Sequence, residues 1–205
     1  MSPKHNIPTD VKFLETIKYS NGQYFNVPLH EERISRTFLK YFGRDTSFAL
    51  PEILPRDLGP ALIRVRLVYS FETWQITAVP YTFPLINNLK LVASDLYYGE
   101  KFLDRSVLKE LKVHSLADDI LIVQKGEITD TSIANVVFRD REGRLFTPRN
   151  CLLAGVKRSH YLKSGRIEPR AIKPGDLTNF DKLYYINAMI DLKDNISVLI
   201  NNIIL

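Results

Sequence analysis

Gly155-Val156-Lys157-Arg158-Ser159 is the stretch whose residue types and spacing speak most directly of chemistry. A glycine ahead of a helix start leaves backbone N–H groups and the positive end of the helix dipole open to an anion. Two basic side chains follow it. The same five residues also fit a surface helix with solvated basic side chains, and they lack the first glycine and the spacing of a P-loop. No G-x-S-x-G or G-x-G-x-x-G run occurs elsewhere. His5, His30, His114 and His160 have no metal-ligand spacing among themselves, so no metal is expected. Cys151, the single cysteine, has no partner for an internal disulfide and no companions for a zinc cluster, which fits a reducing compartment.

The elements that must position any site alternate between strand and helix signals. Phe13 to Tyr19, Asn21-Gly22 and Gln23 to Leu29 read as a hairpin, because Asn-Gly supplies the positive φ angles of a tight turn. His30 to Phe42 places Ile34, Phe38 and Tyr41/Phe42 on one helical face, and Gly43 stands at the C-cap. Leu62 to Tyr69 and Trp74 to Tyr81 alternate as strands, with an irregular Pro51 to Pro60 connection before them. Past a loop over 85–100, Phe102 to Lys112 has helical spacing, with Asp104 favouring its start. Asp119 to Val123 and Ile133 to Phe138 are strand-like, and Arg144 to Thr147 returns across Glu142-Gly143. Ala154 to Lys163 reads as a helix stopped by Gly165, and Leu183 to Ile190 and Ile196 to Ile204 are β-rich. This predicts an α+β protein of two small α/β lobes: 1–84, a linker over 85–100, and 101–205.

The chain has 205 residues, 45% hydrophobic and 25% charged, which excludes disorder, collagen and coiled coil and suits one domain or two small ones. No apolar run approaches the ~20 residues of a membrane span, and MSPKHNIPTD has no apolar leader core. The net charge of +5 is spread among acids, as in HEERISR and RDREGR, rather than gathered into a basic arm. The expectation is a soluble cytoplasmic protein with a small anionic ligand and neither nucleic acid nor membrane as partner.

Taken in order, FLETIKYSNGQ (13–23), LHEERISRT (29–37), EKFLDRSVL (100–108), DDILIVQKGEITDTSIANVVF (118–138), LFTPRNCLLAGVKRSHYL (145–162) and YYINAMI (184–190) span nearly the whole chain. A D-x-S-x-A-N-x-x-F run, then T-P, then L-x-G-x-x-R is hard to obtain by chance. Together they resemble the class IV fold family of pyridoxal-phosphate enzymes, which includes D-amino-acid and branched-chain aminotransferases and aminodeoxychorismate lyase. The resemblance implies two lobes of the D-amino-acid aminotransferase-like type with the cofactor, pyridoxal 5'-phosphate, in a cleft between them.

It also implies roles. Lys101, in Lys-Phe-Leu-Asp-Arg, resembles the family's Schiff-base lysine, which works when its surroundings leave a free amine. Arg33, three residues after His30, resembles the arginine that clamps the phosphate, and a guanidinium fork suits phosphate oxygens. Its alternative is an exposed helix arginine paired with Glu32 or another carboxylate. Backbone N–H groups of Val156 and Lys157, after Gly155, are implied as further phosphate contacts. Asp130 stands where most of the family has glutamate, the carboxylate that keeps the pyridine nitrogen protonated so that the ring absorbs electron density. Asn135 falls at the family's orienting asparagine. Asn187, in Ile-Asn-Ala-Met-Ile, is similar to the lyase branch, where aminotransferases usually carry a Gly-Thr-Ala-like segment. Arg64, Arg66 and Arg105 are the candidates for a substrate carboxylate. The chain is shorter than typical members, and the family's opening strand and Asp-Arg-Gly segment are not found ahead of Phe13.

The resemblance therefore implies a lyase like aminodeoxychorismate lyase, releasing 4-aminobenzoate, a folate precursor, and pyruvate from an amine substrate, as a homodimer. Two alternatives stand beside it: a branched-chain or D-amino-acid aminotransferase, and a non-catalytic relative that binds a phosphate ligand.

Overall fold

The alternation Phe13-x-Glu15-x-Ile17-x-Tyr19 sets how the first strand sits in the computed structural model, which describes residues 11–96 and 98–205. All four side chains of strand β1 (Phe13–Ser20) are buried on one face. Asn21 and Gly22 turn the chain with φ of 50° and 78° into the short β2 (Gln23–Tyr24). The rest of the expected second strand is helix instead. Asn26 takes a left-handed conformation, and α1 (Val27–Phe42) starts with Pro28 in its first turn, where the missing N–H costs nothing. Gly43 closes α1 with φ 66°, its N–H on Leu39 O at 3.1 Å. The proline-rich connection holds one helical turn, α2 (Leu50–Ile53). Strands β3 (Ile63–Tyr69) and β4 (Trp74–Pro80) complete a four-stranded antiparallel sheet in the order β2-β1-β3-β4. Ile34 and Phe38 of α1 pack on Phe13, Ile17, Val65, Leu67 and Tyr69 to form the core of this unit.

The first unit runs to Tyr81 and also takes in Glu100–Asp104, and the second comprises Thr82–Gly99 and Arg105–Leu205. The span 85–100 is thus more than a connector, since it contributes β5 (Leu89–Ala93) to the second unit's sheet. The helix expected from Phe102 begins later, as α3 (Ser106–Ser115), because Lys101 to Leu103 run extended beside β1. Leu14 N–H donates to Lys101 O and Leu103 N–H to Lys12 O, each at 2.9 Å.

In the second unit β5, α3 and β6 (Asp119–Gln124) make a βαβ crossover between parallel neighbours. The Asp-Ile-Leu-Ile stretch of β6 is buried without alternation, as a strand covered on both faces requires. A hairpin joins β7 (Glu127–Thr131) to β8 (Asn135–Asp140), and β9 (Leu145–Pro148) follows. Then come α4 (Val156–Lys163), β10 (Glu168–Arg170), β11 (Phe180–Ile186), β12 (Ser197–Leu199) and β13 (Ile203–Ile204). The sheet runs β10-β9-β8-β7-β6-β5-β13, with β11 also on β8 and β12 on β11. Residues 1–10, His5 among them, lie outside the described residues. Among the described residues no helix is long and apolar enough to cross a membrane.

Candidate active site

In the second unit, the turn Thr131 to Ala134 sets Asp130 and Asn135 opposite each other as register partners of β7 and β8. Thr131 holds the turn, its N–H on Ala134 O at 2.9 Å and its Oγ1 accepting from Ala134 N–H at 3.1 Å. Asn135 Nδ2 donates to Asp130 Oδ1 at 2.8 Å and to Leu153 O at 2.9 Å, while Leu153 N–H donates to Asp130 Oδ2 at 3.0 Å. Asp130 is only 4% exposed, and burial pushes its carboxyl up to about 6 against the pull of these donors and of Arg158. Among the described residues no basic side chain forms an ion pair with it. Each carboxylate oxygen therefore keeps capacity for a protonated partner.

Gly155 brings the start of α4 onto this pair. A Cβ there would lie 2.0 Å from Asn135 Oδ1, and Asn135 cannot yield without dropping its bonds to Asp130 and Leu153. Gly155→Ala is accordingly expected to destabilise the protein by about 1–3 kcal/mol, the usual cost of overpacking, read as a lowered urea midpoint at unchanged slope. A midpoint equal to that of the wild type would show that the two segments are not in close contact.

The first turn of α4 has no side-chain cap and no acid, so the N–H groups of Val156 and Lys157 suit an anion. The basic residues that follow are not a solvated surface. Lys157 is buried with Nζ on Asp191 Oδ2 at 2.8 Å, and Arg158 Nη2 donates to Pro148 O and Arg149 O at 2.8 and 3.1 Å. Asn187 follows β11, its Oδ1 accepting from Met189 and Ile190 N–H at 2.9 and 3.0 Å and its Nδ2 donating to Ile133 O at 3.2 Å. It ties its own turn to the Asp130–Asn135 hairpin. Arg105, a candidate for substrate, donates to Ser132 O in the same hairpin. Burial and the Asp130 charge push the thiol of nearby Cys151 up to about 11.

In the first unit the pairing of Phe13 with Phe102 turns both rings into the core, 5.3 Å apart, and so puts Lys101 on the opposite face beside Leu14. Register fills that face with Thr16 beside Arg66, Lys18 beside Arg64, then Val68, Gln75, Thr77 and Val79. Among the described residues of these strands it carries three cations besides Lys101 and no acid. Among the described residues, Arg64 and Arg66 have no carboxylate partner, and Arg64 Nε is buried without a hydrogen bond. The ring of Tyr81 lies 5.9 Å from the Arg64 guanidinium.

Arg33 is not an exposed helix arginine. It is 4% exposed and grips Glu15, Nε on Oε1 at 2.7 Å and Nη2 on Oε2 at 2.5 Å. His30 Nδ1 meets Glu15 Oε2 at 2.6 Å, and both side chains are fully buried. Burial opposes the charge on Glu15, but the Arg33 guanidinium and the bonds from His30 and Arg33 hold its carboxyl far below the usual carboxylate range. Burial, outweighing the pull of Glu15, lowers His30, with Arg33 and Lys101 adding to the effect. Glu15 and His30 were not singled out from sequence for a role. A lone acid on the apolar face Phe13-x-Glu15-x-Ile17-x-Tyr19, with His30 and Arg33 three apart on the following helix, is the pattern that marks them.

A family model described as Amino-transferase class IV matches residues 100–192. Over 182 residues the chain is 35% identical to an uncharacterized protein of Haemophilus influenzae, covering 85% of this chain and 96% of that one. A crystal structure from Haemophilus somnus, provisionally named a 4-amino-4-deoxychorismate lyase, is similar at a TM-score of 0.80 and 30% identity, covering 88% of this chain and 97% of that one. One from Mesorhizobium loti, provisionally named an amino-acid aminotransferase, is similar at a TM-score of 0.75 and 25% identity, over 88% and 96% of the two chains.

Proposed function

The chain belongs to the class IV amino-transferase family of pyridoxal-phosphate-dependent enzymes, and on that premise we propose that it binds pyridoxal 5'-phosphate and works as a cytoplasmic lyase of the aminodeoxychorismate type. The residues present fit that cofactor. Asp130 is a buried carboxylate without an ion-pair partner among the described residues and suits a protonated ring nitrogen, the uncapped first turn of α4 suits a phosphate, and Lys101 offers a primary amine. When bound, the cofactor supplies an electron-withdrawing ring that takes up the electron pair released at the substrate's α-carbon.

Each side chain then has a defined task. Asp130 holds the ring nitrogen's proton, with Asn135 and Leu153 N–H fixing the carboxylate in place. Val156 and Lys157 N–H groups suit the phosphate, and the family resemblance implies a phosphate contact for Arg33 as well. Lys101 provides the attachment point and afterwards holds and moves a proton on Nζ. Asn187 keeps its turn against the hairpin that carries Asp130.

The observation that carries the substrate side is the cationic face on which Lys101 stands. The products of the proposed reaction, 4-aminobenzoate and pyruvate, each keep one carboxylate, so the substrate brings two. Arg64 and Arg66, without carboxylate partners among the described residues, are the groups to meet them, while Arg105 is engaged by the Ser132 carbonyl. A charge-assisted hydrogen bond of about 1.5–3 kcal/mol corresponds to roughly a tenfold to hundredfold change in affinity. Arg64→Ala and Arg66→Ala are each expected to raise KM by that factor and leave cofactor affinity as it is. A KM at the wild-type value for both variants would remove this face from the substrate site.

The deciding experiment incubates the protein, loaded with pyridoxal phosphate, with 4-amino-4-deoxychorismate and, separately, with a branched-chain or D-amino acid plus 2-oxoglutarate. Formation of 4-aminobenzoate is the expected result. Glutamate in its place would make the chain an aminotransferase, and cofactor binding without either product would make it a phosphate-ligand-binding relative. The proposal includes a homodimer, the commonest symmetric assembly, which sedimentation would show at twice the 23.7 kDa chain mass.

A further inference from the structure

We infer that Asp119 is a positioning residue for the cofactor ring: through Ser132 it holds the turn between Asp130 and Asn135, and so aims the Asp130 carboxylate. The inference rests on the ring-nitrogen role proposed for Asp130. Among the described residues β7 and β8 meet in a single register pair, Asp130 with Asn135. One pair cannot by itself fix the angle at which two strands part. The turn Thr131 to Ala134 must do that, and it is gripped from outside the hairpin.

Ser132 is where the grips converge. Its Oγ donates to Asp119 Oδ1, and its carbonyl accepts from Arg105 Nη2. The next carbonyl, of Ile133, accepts from Asn187 Nδ2 at 3.2 Å. Of these three anchoring side chains only Asp119 is fully buried. It stands in β6, beside Leu89 of β5 and with β7 on the other side, so the anchor moves only with the sheet.

A carboxylate in that place is costly. Ile-Leu-Ile follows it in the strand, and among the described residues no basic side chain forms an ion pair with it. An apolar side chain would fill such a position at lower cost, but the Ser132 hydroxyl needs an acceptor there. Oδ1 takes that bond and one from Ile120 N–H at 2.9 Å. Oδ2 has no hydrogen bond among the described residues, and neither has the buried Tyr185 hydroxyl. Burial, with the Asp119 charge adding to it, pushes the Tyr185 phenol far up and keeps it protonated. Asp130, two residues before Ser132, is the group of the proposed site that this contact reaches.

The test compares pyridoxal phosphate with the analogue that has a ring C–H in place of the ring nitrogen, by measuring the affinity of the cofactor-free protein for each. The ratio of the two affinities reports the ring-nitrogen contact alone. The wild type is expected to prefer pyridoxal phosphate by about tenfold to a hundredfold, the worth of a charge-assisted hydrogen bond. Ser132→Ala and Asp119→Ala should each cut that preference about fivefold or more, because a misaimed hydrogen bond weakens steeply. The double variant should fall no further than either alone, since both changes break one contact. Asp119→Asn keeps an acceptor for the Ser132 hydroxyl and should give an intermediate ratio. Ser132→Ala removes a single oxygen and leaves the grips of Arg105 and Asn187, so it decides the matter if Asp119→Ala does not fold. A wild-type ratio in the folded Ser132→Ala variant would overturn the inference and leave Asp119 a buried acid with a structural role. A wild type that binds both compounds equally would instead remove the ring-nitrogen role of Asp130, and the inference with it.

Discussion

Lys101→Ala is expected to abolish borohydride-stable attachment of pyridoxal phosphate and to cut turnover by at least 10²–10⁴-fold, roughly the contribution of a positioned acid–base group. The fold should survive. What holds this segment to β1 is backbone, Leu14 N–H on Lys101 O and Leu103 N–H on Lys12 O, and alanine keeps both bonds. The Phe102 ring that anchors the segment in the core faces the other way and is untouched. Mass spectrometry after borohydride treatment gives the direct readout: the adduct should sit on the peptide containing Lys101 in the wild type and be missing from the variant. An adduct that persists in the variant would place the attachment on another lysine. Loss of activity through unfolding is separated by the urea midpoint, which should stay close to that of the wild type.

Asp130→Asn should act on both stability and catalysis, and the two effects have different pH signatures. Burial raises the Asp130 carboxyl from 3.8 to about 6. Between those values the folded chain keeps a proton that the unfolded chain has released. The stability tied to this group is therefore fully present below about pH 4, falls as pH rises to about 6, and is flat beyond. The whole swing is about 3 kcal/mol. Asparagine does not titrate, so the cofactor-free variant should gain on the wild type by about that much between pH 4 and 7, after a constant loss of about 1 kcal/mol for a hydrogen bond given up. Urea titrations of both proteins across that range measure it. With pyridoxal phosphate bound, the ring nitrogen's proton compensates the carboxylate and the swing should shrink. In turnover, Asp130→Asn should retain bound cofactor and slow every step that releases an electron pair at the substrate's α-carbon. Asp130→Glu keeps the charge and should be far milder. A wild-type stability flat between pH 4 and 7 would show that Asp130 is not held protonated by burial.

Where local chemistry decides structure, the sequence was enough. Asn21-Gly22 fixes a hairpin turn because few other pairs accept two positive φ angles, and Gly43 ends α1 for the same reason. The family resemblance marked Asp130, Asn135 and Gly155, and the fold brings the three into contact, Asp130 and Asn135 across a tight turn between neighbouring strands and Gly155 against Asn135. The run of motifs in order was sufficient to identify the family. Boundaries set by a distant partner were not legible. Phe102 to Lys112 has the apolar spacing of a helix, yet its first residues are extended because β1 offers hydrogen bonds along its edge. Gln23 to Leu29 reads as a strand, and Asn26 diverts it into α1.

The amino-acid sequence by itself determined the alternation of strands and helices, the family, and the residue types available for cofactor chemistry, since these depend on neighbours within a few positions. Only the tertiary structure decided what those residues touch. It turned Arg33 inward onto Glu15 and His30, buried Lys157 against Asp191, and set Lys101 on a sheet face with Lys18, Arg64 and Arg66. The physical reason is that burial and pairing raise or lower the cost of a charge by several kcal/mol. That cost is set by groups brought together from positions as far apart as Glu15 and Arg33, or Lys157 and Asp191, which no local pattern records.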